Sequence, residues 1–95
     1  MRPRKTKDLE KTLKRKGFDE DLDSDHKRYT FIYNGITTHI GTYLSHGMKD
    51  YDKNLMALIK KQLKFDSSKA ADNFFDCPFT KENYIQMLIK KGELI

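Results

Sequence analysis

Ser24-Asp25-His26-Lys27-Arg28-Tyr29-Thr30-Phe31-Ile32-Tyr33-Asn34-Gly35-Ile36-Thr37-Thr38-His39-Ile40 decides the fold. Asn-Gly between two runs of aromatic and β-branched residues is the strongest short-range signal for a β-hairpin. A two-residue turn pairs Tyr33 with Ile36, Phe31 with Thr38 and Tyr29 with Ile40. Side chains alternate along a strand, so Tyr29, Phe31 and Tyr33 share a face with Ile36 and Ile40, the better candidate for the core. The other face carries His26, Arg28 and Thr30 opposite Thr37, His39, Gly41 and Tyr43. It is polar and cationic, with a glycine leaving room beside Arg28. A purely structural hairpin does not require that face.

Outward from the hairpin the pattern becomes helical. A short basic arm (1–5) precedes a helix from Thr6 to Lys16. Thr6 is its expected N-cap, Leu9 and Leu13 its apolar face and Gly17 its stop. Phe18 to Leu22 reads as a short edge strand despite its acidic residues. After the hairpin, the loop 44–49 leads to a helix beginning near Asp50 or Asp52. Leu55, Leu58, Ile59 and Leu63 are expected inside, with Lys53, Lys60, Lys61 and Lys64 outside. A short helix around Lys69–Phe75 follows. The last helix runs from Lys81 to Lys91, capped by Thr80, lined by Tyr84, Ile85, Leu88 and Ile89, and ended by Gly92. Cys77 beside Pro78 reads as a buried small hydrophobe.

Ninety-five residues suffice for one domain with a modest core. Nineteen basic residues against fourteen acidic give a net charge of +5, an excess that suits a polyanion partner without demanding one. A lone cysteine excludes an internal disulfide and a cysteine-built metal site, and fits a reducing compartment. No apolar run is long enough to span a membrane, and the start, Met1-Arg2-Pro3-Arg4-Lys5, lacks a signal peptide's apolar stretch. These features imply a cytoplasmic protein with no membrane partner. Three dispersed histidines and no paired carboxylates near His26 imply no metal and no cofactor.

Residues 6–65 resemble the HicA-type mRNA interferase toxins, small proteins of the double-stranded-RNA-binding-domain type with an α-β-β-β-α order. The family hallmark is Gly-Ser-His followed three residues later by an aromatic, entering the second strand. Here Ser24-Asp25-His26 with Tyr29 occupies that pattern, so a carboxylate stands where the family has serine. The likeness continues through His46-Gly47 and the leucine-rich basic helix of 52–64. Residues 66–95 have no counterpart in the minimal family pattern.

The resemblance implies a toxin of a toxin–antitoxin pair that cleaves mRNA without a metal, using the strand histidine, and a partner antitoxin of the HicB type. Imidazole suits the task because its pKa of about 6.5 lets it accept the ribose 2′-OH proton near neutrality. Arg28, two residues along on the same face, is placed to neutralise charge on the phosphorane. Lys27 lies on the other face at a strand end, and Lys27, Arg28, Tyr43 and Lys49 are the expected RNA contacts. The leaving 5′-oxygen needs an acid. His39, paired across from Thr30, is four residues from His26 along a strand, about 13 Å, which is too far to serve one phosphate. His26 instead pairs opposite Tyr43, on the strand leading to His46, so His46 or Tyr43 is the candidate acid.

Each residue has a plainer reading. His26 can be a surface histidine, His46 can shape a loop, Lys60-Lys61 can be a solvated helix face, and Phe74, Phe75 and Phe79 pack the tail onto the body. Three functions remain open: a ribonuclease, a non-catalytic RNA-binding module using the same basic face, or an interaction protein whose tail drives self-association into a homodimer. The fold expected is α+β, a three-stranded antiparallel sheet covered on one face by two helices. The core should span 1–65, with the helical extension 66–95 packed at its margin.

Overall fold

The computed structural model describes residues 1–22, 26–76 and 78–94. The Ser24-Asp25 pair preceding His26, and Cys77, lie outside the described residues. In chain order the elements are β1 (Arg4–Lys5), α1 (Thr6–Arg15), β2 (Phe18–Leu22), β3 (His26–Tyr33), β4 (Ile36–Ser45), β5 (Asp50–Tyr51), α2 (Lys53–Gln62), α3 (Ser68–Asp76) and α4 (Lys81–Lys90). Strands β2, β3 and β4 form an antiparallel sheet in that order, and β1 pairs with β5 in a separate two-residue ladder. This is the expected α+β architecture. The basic arm is therefore partly a strand. Arg4 is pinned to α3 by Asp72 at 2.8 Å and Asp76 at 2.7 Å. These bonds outweigh the desolvation of the guanidinium and hold its pKa above the ordinary value.

Local chemistry accounts for most boundaries. Gly17 ends α1 with φ +97°, a left-handed conformation that suits glycine. Asp52 caps α2, its Oδ1 accepting from the Leu55 amide at 2.9 Å. Thr80 and Asn83 close a capping box on α4. At α1 the expectation is displaced by one residue. Lys5 holds the N-cap position, while Thr6 is already helical and its amide donates to the Lys49 carbonyl at 2.8 Å. That bond ties the helix start to the chain before β5. The acidic strand β2 is stable because Phe18, opposite Phe31, is buried while Asp19 and Asp21 fall on the open face.

The hairpin register differs from that of an uninterrupted ladder. Tyr33 pairs with Ile36 and Ile32 with Thr37, but Thr30 then pairs with Gly41 and Arg28 with Tyr43. Three residues of β4, 38–40, thus stand opposite Phe31 alone. Thr38 stabilises this bulge, its Oγ1 donating to the Phe31 carbonyl at 2.7 Å and accepting from the Ile40 amide at 3.2 Å. A slip of two residues preserves which face each side chain takes. It changes every partner beyond the bulge. His26 lies opposite Ser45, not Tyr43, and His39 is not paired with Thr30.

The covered face of the sheet presents Phe18, Tyr29, Phe31, Thr42 and Leu44, with Ile40 buried beside them. Ile36, expected in the core, is 67% exposed because it stands at the hairpin tip, beyond the buried cluster. On α2 the buried stripe is Met56, Ile59 and Leu63, with Leu55 partly covered, and Leu58 is 52% exposed on the flank. On α4, Tyr84 and Leu88 are buried while Ile89 faces solvent. The tail sits at the centre of the core instead of its margin. The Tyr84 ring lies 5.2 Å from Phe31, 5.3 Å from Phe65, 5.0 Å from Phe74 and 5.9 Å from Phe18. Among the described residues no helix is long and apolar enough to cross a membrane.

Candidate functional site

The pleat of β3 carries His26 and Arg28 to the open face of the sheet, where both are exposed. The bulge in β4 advances Tyr43 until it stands directly opposite Arg28. The Arg28 guanidinium carbon lies 5.7 Å from the centre of the Tyr43 ring. His26 meets the same ring edge-on, with centroids 6.0 Å apart and planes at 73°. A tyrosine that is half exposed thus holds an imidazole and a guanidinium together on one surface. A solvent-exposed cation–π contact of this kind contributes about 0.5–1 kcal/mol, enough to bias rotamers. Gly41 stands next to this group. A Cβ there would lie 2.3 Å from the Tyr29 carbonyl oxygen, so only glycine lets the two strands approach as they do.

The open face is not cationic as the hairpin alone suggested: two carboxylates face one guanidinium. Strand β2 places Asp21 opposite Arg28 and Asp19 opposite Thr30. Period-two alternation through Phe18–Leu22 is the sequence signal that would have put those carboxylates there. His46 follows Ser45, the residue paired with His26, and is exposed in the turn after β4. His39, lifted by the bulge, sets its Nε2 3.1 Å from Glu93 Oε2. That bond, more than any other contact, holds the Glu93 carboxyl below its ordinary pKa.

Lys27 and Lys49 belong to the opposite side. Lys27 Nζ binds Glu10 Oε2 at 2.6 Å, which holds the ammonium's pKa above the ordinary value. The Tyr29 hydroxyl contacts Glu10 at 3.1 Å and also bonds to Glu20, which Lys14 approaches at 3.2 Å. Burial first, and then these two carboxylates, push the Tyr29 phenol far up. The hydrogen bond from Tyr29 is the leading cause that pulls Glu20 down. Lys27 is therefore already neutralised by α1, and its expected role as a phosphate contact is weakened. Lys49 is exposed and shares a shallow cleft with Lys5, Lys7 and Lys27. Lys5 and Lys7 escaped the reading of the sequence because nothing local shows that the loop before β5 folds back onto α1. Among the described residues no three His, Cys, Asp or Glu side chains gather closely enough to hold a metal ion.

Comparison of the chain with protein-family models, with curated proteins and with solved structures gives no significant match.

Proposed function

We propose that this protein is a metal-independent endoribonuclease of the kind the HicA-type mRNA interferases represent, acting in the cytoplasm and restrained by a HicB-type antitoxin. One observation carries the reading. An exposed histidine at the start of the central strand shares a face, and an aromatic neighbour, with an arginine. In this mechanism the His26 imidazole takes the proton of a ribose 2′-OH. The 2′-oxygen attacks the adjacent phosphorus, and the P–O5′ bond breaks to leave a 2′,3′-cyclic phosphate. Arg28 balances the charge that grows on the non-bridging oxygens. Tyr43 offers its exposed ring to a flanking base and, with His46, is a candidate to protonate the leaving 5′-oxygen.

A second reading is favoured by Asp21 standing opposite Arg28, which offsets the charge the phosphorane would need. It is a non-catalytic RNA-binding module. The third reading, self-association through the tail, loses its motive because Phe74, Tyr84 and Leu88 are spent in the protein's own core.

Incubation of purified protein with mRNA in excess EDTA, beside a His26→Ala variant, separates the first two. Cleavage that yields 2′,3′-cyclic ends and falls at least about a hundredfold in the variant supports the enzyme. Equal degradation by both proteins, or strict dependence on added Mg²⁺ or Mn²⁺, refutes it. Binding with no cleavage leaves the module.

A further inference from the structure

The start of α1 contravenes the ordinary rules for helix ends. Its N-cap, Lys5, has no acceptor in its side chain and makes no capping bond. Thr6, the residue equipped to cap, is one place too late. It is 5% exposed, and its Oγ1 is sealed from solvent without a hydrogen-bond partner. Around this positive pole of the helix dipole the fold gathers further cations. Lys5, Thr6, Lys7, Glu10, Lys27 and Lys49 line a cleft of about 500 Å³. Glu10, the one carboxylate among the described residues that line it, is engaged by Lys27 and Tyr29. Lys5, Lys7 and Lys49 enter none of the ion pairs found among the described residues. Asp8, in the same helical turn, does not line the cleft.

Two ammonium groups without an ion pair among the described residues, those of Lys7 and Lys49, a third on Lys5 whose paired residue across the ladder is Asp50, and an uncapped helix end leave the cleft positive. One anion in the cleft would offset the lysine charge and the helix end together. We propose that this cleft binds the phosphates of a polynucleotide backbone and is separate from the open face that holds His26. Its form favours a strand over a lone anion. The cleft is open and larger than one phosphate, and its cations are flexible lysine point charges instead of an arginine fork that would clamp a single group. Lys27 lies between His26 and Arg28 in the chain, so the cleft and the open face meet across the end of β3. Backbone binding here does not depend on cleavage at His26.

The test uses the full chain and a fluorescein-labelled 2′-O-methyl RNA 12-mer, which transesterification cannot cut, with binding read by anisotropy across a salt series. The triple variant Lys5→Gln/Lys7→Gln/Lys49→Gln should bind at least about tenfold more weakly at low salt. Its slope of log affinity against log salt should be shallower by about 2, at about 0.7 per phosphate contact on a single strand. Lys7→Glu alone, at an exposed helical position, should move affinity the same way, which covers misfolding of the triple variant. Lys61→Gln/Lys69→Gln/Lys90→Gln removes the same charge from α2, α3 and α4, and should keep most of the affinity. A DNA 12-mer should bind about as well as the RNA. Cleft variants that bind like wild type, or a control variant that loses as much as they do, would overturn the proposal. So would displacement of the strand by inorganic phosphate at concentrations too low to alter ionic strength, which would point to a small-anion site.

Discussion

Replacing Tyr84 tests whether the last thirty residues belong to the core. Its hydroxyl donates to the Leu63 carbonyl at 2.8 Å, with both groups buried. Leu63 is the C-cap of α2, so that carbonyl has no helical partner of its own. Tyr84→Phe removes the donor and keeps the ring. The expected loss is about 1–2 kcal/mol, the net value of a buried hydrogen bond plus part of the cost of an orphaned carbonyl. Tyr84→Ala also empties a site walled by Phe18, Phe31, Phe65 and Phe74. Such a cavity raises the cost to about 3–5 kcal/mol. In a domain of this size 1 kcal/mol shifts Tm by about 4–8 °C. Tyr84→Phe should therefore melt about 5–15 °C lower, and Tyr84→Ala should lose several times as much stability, leaving it barely folded if the wild type lies at the low end, about 5 kcal/mol, of the usual range. Urea unfolding followed by circular dichroism gives both numbers. An alanine variant that loses less than about 1.5 kcal/mol would refute the central placement of the tail. A phenylalanine variant indistinguishable from wild type would refute the hydrogen bond alone.

Gly41→Ala should destabilise by about 3 kcal/mol, at the upper end of the overpacking range, because the clash at 2.3 Å is with backbone that cannot swing aside. By disturbing the β3–β4 register it should also weaken any activity that needs Tyr43 beside Arg28; a variant of native stability would show that the strands have room to separate. Stability should fall above pH 10. Burial raises the phenols of Tyr84 and Tyr29, so the unfolded chain releases protons there that the folded protein retains. Linkage then removes up to about 1.4 kcal/mol per pH unit for each such tyrosine. Tm measured between pH 9 and 11.5 should drop, and Tyr84→Phe should drop less steeply; a flat profile, or identical slopes, would contradict the assignment.

How much of this was legible in the sequence depends on how locally each feature is determined. Asn34-Gly35, Gly17, Thr80 and Gly92 carry their own backbone instructions, and the elements they bound appear where the residues place them. The bulge does not announce itself. Thr38 takes hydrogen bonds that the ladder would otherwise make, and Gly41 permits an approach that no other residue allows. Both residues are visible in the chain, yet their meaning appears only when β3 and β4 are in contact. Because the slip is even, the face assignment of His26, Arg28 and Tyr43 survived while their pairing did not. The α1 cap failed for a similar reason: the amide of Thr6 is claimed by Lys49, more than forty residues away in the chain.

The two sides of the sheet also divide the chemistry in a way that period-two patterning of one hairpin cannot show. On the open side, Asp19 and Asp21 more than offset the single charge of Arg28. On the covered side, Tyr29 has one proton for two carboxylates. Its closer bond is to Glu20, which leaves Glu10 to be satisfied chiefly by Lys27. Lys27 is thus both a wall of the cationic cleft and a structural counter-ion. Removing it would strand Glu10 beside a buried tyrosine and depress stability, so a Lys27 variant would confound any test of phosphate binding. Lys5, Lys7 and Lys49 have no such second duty. A test of the proposed phosphate binding is therefore separable from folding at those three lysines and not at Lys27.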